Sequence, residues 1–124
     1  MWDVVFSYSR AEAIEEGVLI DVTETAQEAG FKFPVAVTDT LWNAYIVPSG
    51  EVLTRNYGQS TEGRLWDTLY MAALAARQTT GNILFYKVIY LMADFKEKEI
   101  QIKSIIGPGD NGEPVITLML PNED

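Results

Sequence analysis

The sequence predicts an α+β domain in which short N-terminal helices and one long helix pack on a mainly antiparallel sheet, with a C-terminal three-stranded meander. Three observations carry this expectation. Leu65, Trp66, Leu69, Ala72, Ala73 and Ala76 recur at three- and four-residue spacing over residues 62–77, the period of a helix with one apolar face. Glu99, Gln101 and Lys103 alternate strictly with Ile100 and Ile102, the period of a half-buried strand. Two runs rich in β-branched and aromatic residues, 83–92 and 115–120, flank that segment, so three strands follow one another.

The elements follow in order from local chemistry. Ser9 and Glu12 match a capping box, and Gly17 stands where a left-handed residue closes the helix they open. Val18 to Val22 reads as extended. Thr23 is expected to cap a second short helix through Ala29, closed by Gly30. Phe31 to Val37 reads as extended, with Pro34 confining it to a sheet edge or to a segment outside the sheet. Thr38 or Asp39 starts a third helix carrying Leu41, Trp42, Tyr45 and Ile46, which Pro48-Ser49-Gly50 stops. Residues 51–61 form the strongest loop candidate, and residues 94–98 join the first two C-terminal strands. Phe31, Phe33, Trp42 and Trp66 are expected as core anchors, while Trp2, Phe6 and Tyr8 share one face of an alternating segment. No repeat, low-complexity tract or linker divides the chain, so residues 1–124 are expected to form a single domain.

Composition narrows the chemistry. The 124 residues contain no histidine and no cysteine, the side chains behind most nucleophilic catalysis, neutral-pH proton transfer and transition-metal binding. No catalytic residue, metal ligand or cofactor is expected. No serine lies in a nucleophile-elbow or Ser-x-x-Lys pattern. Net charge is −9 and uneven: residues 1–51 hold nine acids and two bases. Such a surface repels nucleic acid and anionic lipid and favours a basic or protein partner. No apolar run approaches the roughly 18–20 residues of a membrane helix. Met1 to Asp3 lead straight into folded-looking sequence, so a cytoplasmic protein is expected.

Three constellations are candidate sites. Gly107 to Pro114 holds three glycines and two prolines around Asp110, Asn111 and Glu113, a turn whose oxygens suit a hard cation or ligand but lack the calcium-loop spacing. Arg55, Tyr57 and Arg64 lie just before and within the start of the long helix, where an anion would be favoured. Glu12, Glu15, Glu16, Glu24 and Glu28 form a candidate acidic interaction surface. The plain reading of the first is a strand connection, and of the third a solubilising surface.

Three segments also carry a resemblance. Phe6 to Val22 (FSYSRAEAIEEGVLIDV), Gly63 to Asp67 (GRLWD) and Gly107 to Met119 (GPGDNGEPVITLM) together resemble an uncharacterised family of small bacterial proteins of unknown function carried on plasmids, phages and integrated elements. The resemblance spans nearly the whole chain. It implies a mobile-element accessory protein and brings no catalytic residues.

The leading expectation is therefore a non-enzymatic binding protein that engages a protein partner. Its sharpest form is an acidic inhibitor of a host nucleic-acid-targeting defence. The alternative is a small-ligand-binding protein, or an unusual carboxylate-dependent enzyme, using the 107–114 loop. A homo-oligomer that buries an exposed strand is a third possibility.

Overall fold

In the computed structural model, which describes residues 8–48, 60–78, 80–92 and 96–123, the first helix is α1, Arg10–Glu15. The expected capping box is present, with Ser9 Oγ accepting the Glu12 N–H at 3.0 Å. Gly17 leaves the helix at φ +80°, a conformation that glycine adopts without a Cβ penalty. Strand β1, Leu19–Asp21, and helix α2, Thr23–Glu28, follow. Thr23 is the first residue of α2 and not its N-cap, which is Val22 with no side-chain cap. Its hydroxyl is used across the chain instead: it donates to Asp21 Oδ1 at 2.6 Å and accepts the Val35 N–H at 3.1 Å.

Strand β2, Val35–Thr38, corrects the expectation set by Pro34. It is an interior strand, antiparallel to β1 on one side and parallel on the other to β5, Pro114–Met119. Pro34 stays just outside the strand and contributes only its carbonyl, which accepts the Ile116 N–H at 2.9 Å. No ladder donor is lost, so proline costs nothing there.

Thr38 caps the next helix through its hydroxyl, which accepts the Leu41 N–H at 3.3 Å. This is α3, Asp39–Leu41, and it widens into a π-helical turn over Trp42–Ile46, where the sequence predicts an ordinary helix. Most of the expected 51–61 loop lies outside the described residues. The long helix, α4, spans Thr61–Ala76, with the Ser60 hydroxyl accepting the Gly63 N–H at 3.0 Å. Strands β3, Ile83–Leu91, β4, Glu97–Pro108, and β5 form the expected antiparallel meander. β4 is longer at both ends than the alternating segment and takes Glu97 and Lys98 from the expected turn.

The five strands lie in the order β1-β2-β5-β4-β3. Register aligns one row across the sheet: Ile20, Val37, Leu118, Ser104 and Leu84 are successive neighbours. This row lies on the face that packs with α2 and α4, through Ala26, Leu65, Leu69 and Ala72. Burial of one such leucine contributes about 1.5–3 kcal/mol. Trp66 and Phe33, expected as core anchors, are each 39% exposed. Leu65 and Leu69 define the buried stripe of α4, and Trp66 falls on its solvent side. Phe31 and Trp42 do pack against the core.

Candidate functional site

The 107–114 segment is the hairpin turn between β4 and β5. Gly109 N–H donates to the Glu113 carbonyl at 2.6 Å, and the Glu113 carboxylate folds back to accept the Asn111 N–H at 2.9 Å. A Cβ on Gly109 would lie 2.6 Å from that carboxylate, and Gly112 has φ +81°. Two of the glycines are thus required by the turn itself.

The turn delivers Asp110 to α1. Its carboxylate accepts the Arg10 N–H at 2.7 Å and the Ala11 N–H at 3.0 Å. With Ser9 serving Glu12, the first-turn amides of α1 are all satisfied. Arg10 points its guanidinium at β5, donating to Thr117 Oγ1 and to the Ile116 carbonyl, each at 2.8 Å. Burial lowers its pKa, while the charges of Asp21, Asp110 and Glu113 act in the opposite sense. Two clefts flank this junction, about 360 Å³ on the Tyr8 and Val18 side and about 190 Å³ on the Asp21 and Thr23 side. Both include Arg10 and Asp110 in their walls. The groups that would hold a ligand there, the Asp110 carboxylate and two Arg10 nitrogens, already bind the protein.

Arg64 is placed differently from the basic pocket suggested by its sequence position. It is 3% exposed and donates to the carbonyls of Tyr45, at 2.7 Å, and Leu91. Its guanidinium carbon lies 5.6 Å from the centre of the Tyr90 ring, a cation–π distance. Thr68 donates to the Arg64 carbonyl at 2.7 Å, so the 2.6 Å contact between Thr68 and Tyr90 hydroxyls has tyrosine as donor. Burial lowers the Arg64 pKa and raises the Tyr90 hydroxyl to about 12. Arg55 and Tyr57, the other members of that candidate site, lie outside the described residues.

Glu12, Glu15, Glu16, Glu24 and Glu28 are all exposed. Glu12 also accepts the Ser9 N–H, and Glu16 accepts the Tyr8 hydroxyl at 2.9 Å. Glu15, Glu24 and Glu28 extend from two separate short helices. Among the described residues, no three carboxylates converge to hold a metal ion. Nor is any described helix long and apolar enough to cross a membrane.

One surface was not singled out by sequence reasoning. Among the described strands β3 lies at the edge of the sheet, and its side chains alternate between the core row and the opposite face. On that opposite face Ile83, Phe85 and Ile89 are 56%, 52% and 54% exposed. Ile106 N–H donates to the Asn82 carbonyl at 2.8 Å, which makes Ile83–Ile105 a non-hydrogen-bonded pair. It follows that the amides and carbonyls of Ile83, Phe85, Lys87 and Ile89 point away from β4, as does the amide of Leu91, whose carbonyl is taken by Arg64. Among the described residues no other strand pairs with this edge. The signal was present in the sequence as apolar residues at both even and odd positions of 83–91. Without the strand order, that pattern reads equally as a strand buried on both faces.

The chain belongs to a family of unknown function, DUF6573, whose model matches residues 1–124. No curated protein and no solved structure matches it.

Proposed function

We propose that this chain is a non-enzymatic accessory binding protein of a bacterial mobile element or phage, and that a protein partner adds a strand to the outer edge of β3, which no other described strand pairs with. The observation that carries the reading is the conjunction on β3 of outward-directed main-chain groups and the exposed side chains of Ile83, Phe85 and Ile89. Edge strands of this length are ordinarily blunted by charge, proline or a bulge. Here Lys87 is the only charge in nine residues, and it pairs with Glu99 at 3.4 Å. Strand addition draws affinity from main-chain hydrogen bonds and specificity from alternate side chains, and β3 supplies both. The mobile-element setting rests on the resemblance carried by residues 6–22 and 107–119.

In its sharpest form the partner is a nucleic-acid-binding host defence protein, and Glu12, Glu15, Glu16, Glu24 and Glu28 stand in for phosphates. That form predicts binding that weakens steeply with salt.

The test is quantitative capture from bacterial lysate after nuclease treatment, comparing the native chain with Phe85→Lys, Ile89→Glu and Glu28→Lys. One stoichiometric partner lost with both β3 substitutions and kept with Glu28→Lys supports the edge reading. A partner insensitive to the β3 substitutions overturns it. Loss with Glu28→Lys and retention with both β3 substitutions moves the contact to the acidic helices.

A further inference from the structure

A second surface stands apart from the β3 edge and from the 107–114 turn. Between the α2–β2 connection and the last turns of α4 lies an apolar groove of about 310 Å³. Its floor is Ile106 and Ile116, from two adjacent strands, and Phe31 and Phe33 form one wall. The other wall is α4, where Ala73 and Ala76 share a face at three-residue spacing. Alanine leaves the space open that a larger apolar residue would fill. The volume sits at the low end of the roughly 300–1,000 Å³ typical of small-molecule sites.

The rim of this groove is cationic. Lys32 and Arg77 both line it. Elsewhere among the described residues, bases are engaged by the protein: Lys87 with Glu99, Lys103 with the Glu123 carbonyl, Lys98 over the Tyr45 ring. Arg10 and Arg64 donate to main-chain carbonyls, and Lys96 also has a partner. Lys32 and Arg77 have no carboxylate within ion-pair distance among the described residues, in a chain of net charge −9. Arg77 at the end of α4 complements the negative end of the helix dipole, but that role does not account for Lys32 on the opposite wall.

We infer that this groove binds a small apolar carboxylate, with the alkyl or aryl body on Ile106, Ile116 and Phe31 and the carboxylate between Lys32 and Arg77. The apolar lining contributes affinity through burial, and the two cations select the charge of the head group. This site is independent of the partner surface on β3.

Isotope-edited NMR of the full chain during titration with decanoate tests it, each probe being kept below its micelle concentration. Decanol and decyltrimethylammonium serve as probes with the same body and a neutral or positive head. Saturable shifts centred on Ala73, Ala76 and Ile106, with decanol at least about tenfold weaker, are expected from one charge-assisted contact. Ala76→Leu fills the groove on an exposed helix position and is expected to abolish the shifts. Lys32→Glu with Arg77→Glu is expected to remove the preference for decanoate while the decanol affinity persists. Equal binding of decanoate and decanol, shifts centred elsewhere, or no saturation would each overturn the inference.

Discussion

Asp110 holds the first turn of α1 from one hundred residues away, its carboxylate accepting the Arg10 amide at 2.7 Å. The bond ties the β4–β5 turn to the N-terminal helix, and the Arg10 guanidinium returns the connection by donating to the Ile116 carbonyl on β5. A six-residue helix has little stability of its own, so α1 depends on this tertiary cap as well as on Ser9.

Asp110→Ala is therefore expected to lower stability by about 1 kcal/mol, within the roughly 0.5–2 kcal/mol range of lost helix caps. Urea unfolding measures this. Amide exchange at Arg10 and Ala11 should accelerate in the same variant by more than exchange in α4, whose core amides report only the global loss.

Gly109→Ala brings a methyl against the Glu113 carboxylate and displaces it from the Asn111 amide. Its cost is expected at roughly 1 kcal/mol, and it should fall once Glu113 is already alanine. A double-mutant cycle in denaturant reads this directly. Strict additivity of the two substitutions would rule out the contact as the cause.

Arg64→Met leaves the part-buried carbonyls of Tyr45 and Leu91 without their donor. An unsatisfied buried group costs about 1–3 kcal/mol, and part-burial lets water offset some of it, so a total loss of roughly 1–3 kcal/mol is expected in thermal or urea unfolding. Arg64→Lys should recover less than half, because an ammonium lacks the planar fork that reaches two carbonyls.

Alkaline pH should destabilise the protein through Tyr90. Its hydroxyl is raised from 10.0 to about 12 by burial, so the unfolded chain loses this proton first as pH rises. The stabilisation is full below pH 10 and is lost between pH 10 and 12, by roughly 2–3 kcal/mol. Tyr86, whose buried hydroxyl has no hydrogen-bond partner among the described residues, is shifted in the same direction and adds to the effect. Tyrosinate absorbance and circular dichroism should change together over this window, and Tyr90→Phe should reduce the pH dependence.

What was legible in the residues was local. The capping box of Ser9 and Glu12, the closing glycines Gly17 and Gly30, and the 3.6-residue stripe of α4 each rest on contacts within a few positions. The alternation of Glu99 to Lys103 likewise revealed a strand and its buried face. The candidate site was less legible. Asp110 and Glu113 stood out in sequence, but nothing near them indicated that one serves a helix at the other end of the chain. Arg64 looked like an anion receptor at a helix start because its partners, Tyr45 and Leu91, belong to distant segments.

The sequence by itself determined the α+β class, the long helix and the succession of three C-terminal strands, because periodicity and caps are short-range properties. Only the tertiary structure decided that β2 lies inside the sheet beside β5, that Arg64 is buried while Trp66 is exposed, and that β3 is outermost among the described strands. Those outcomes depend on which strands pair and which helix face finds the sheet. Both are settled by burying apolar surface between segments far apart in the chain, and no local pattern encodes that choice.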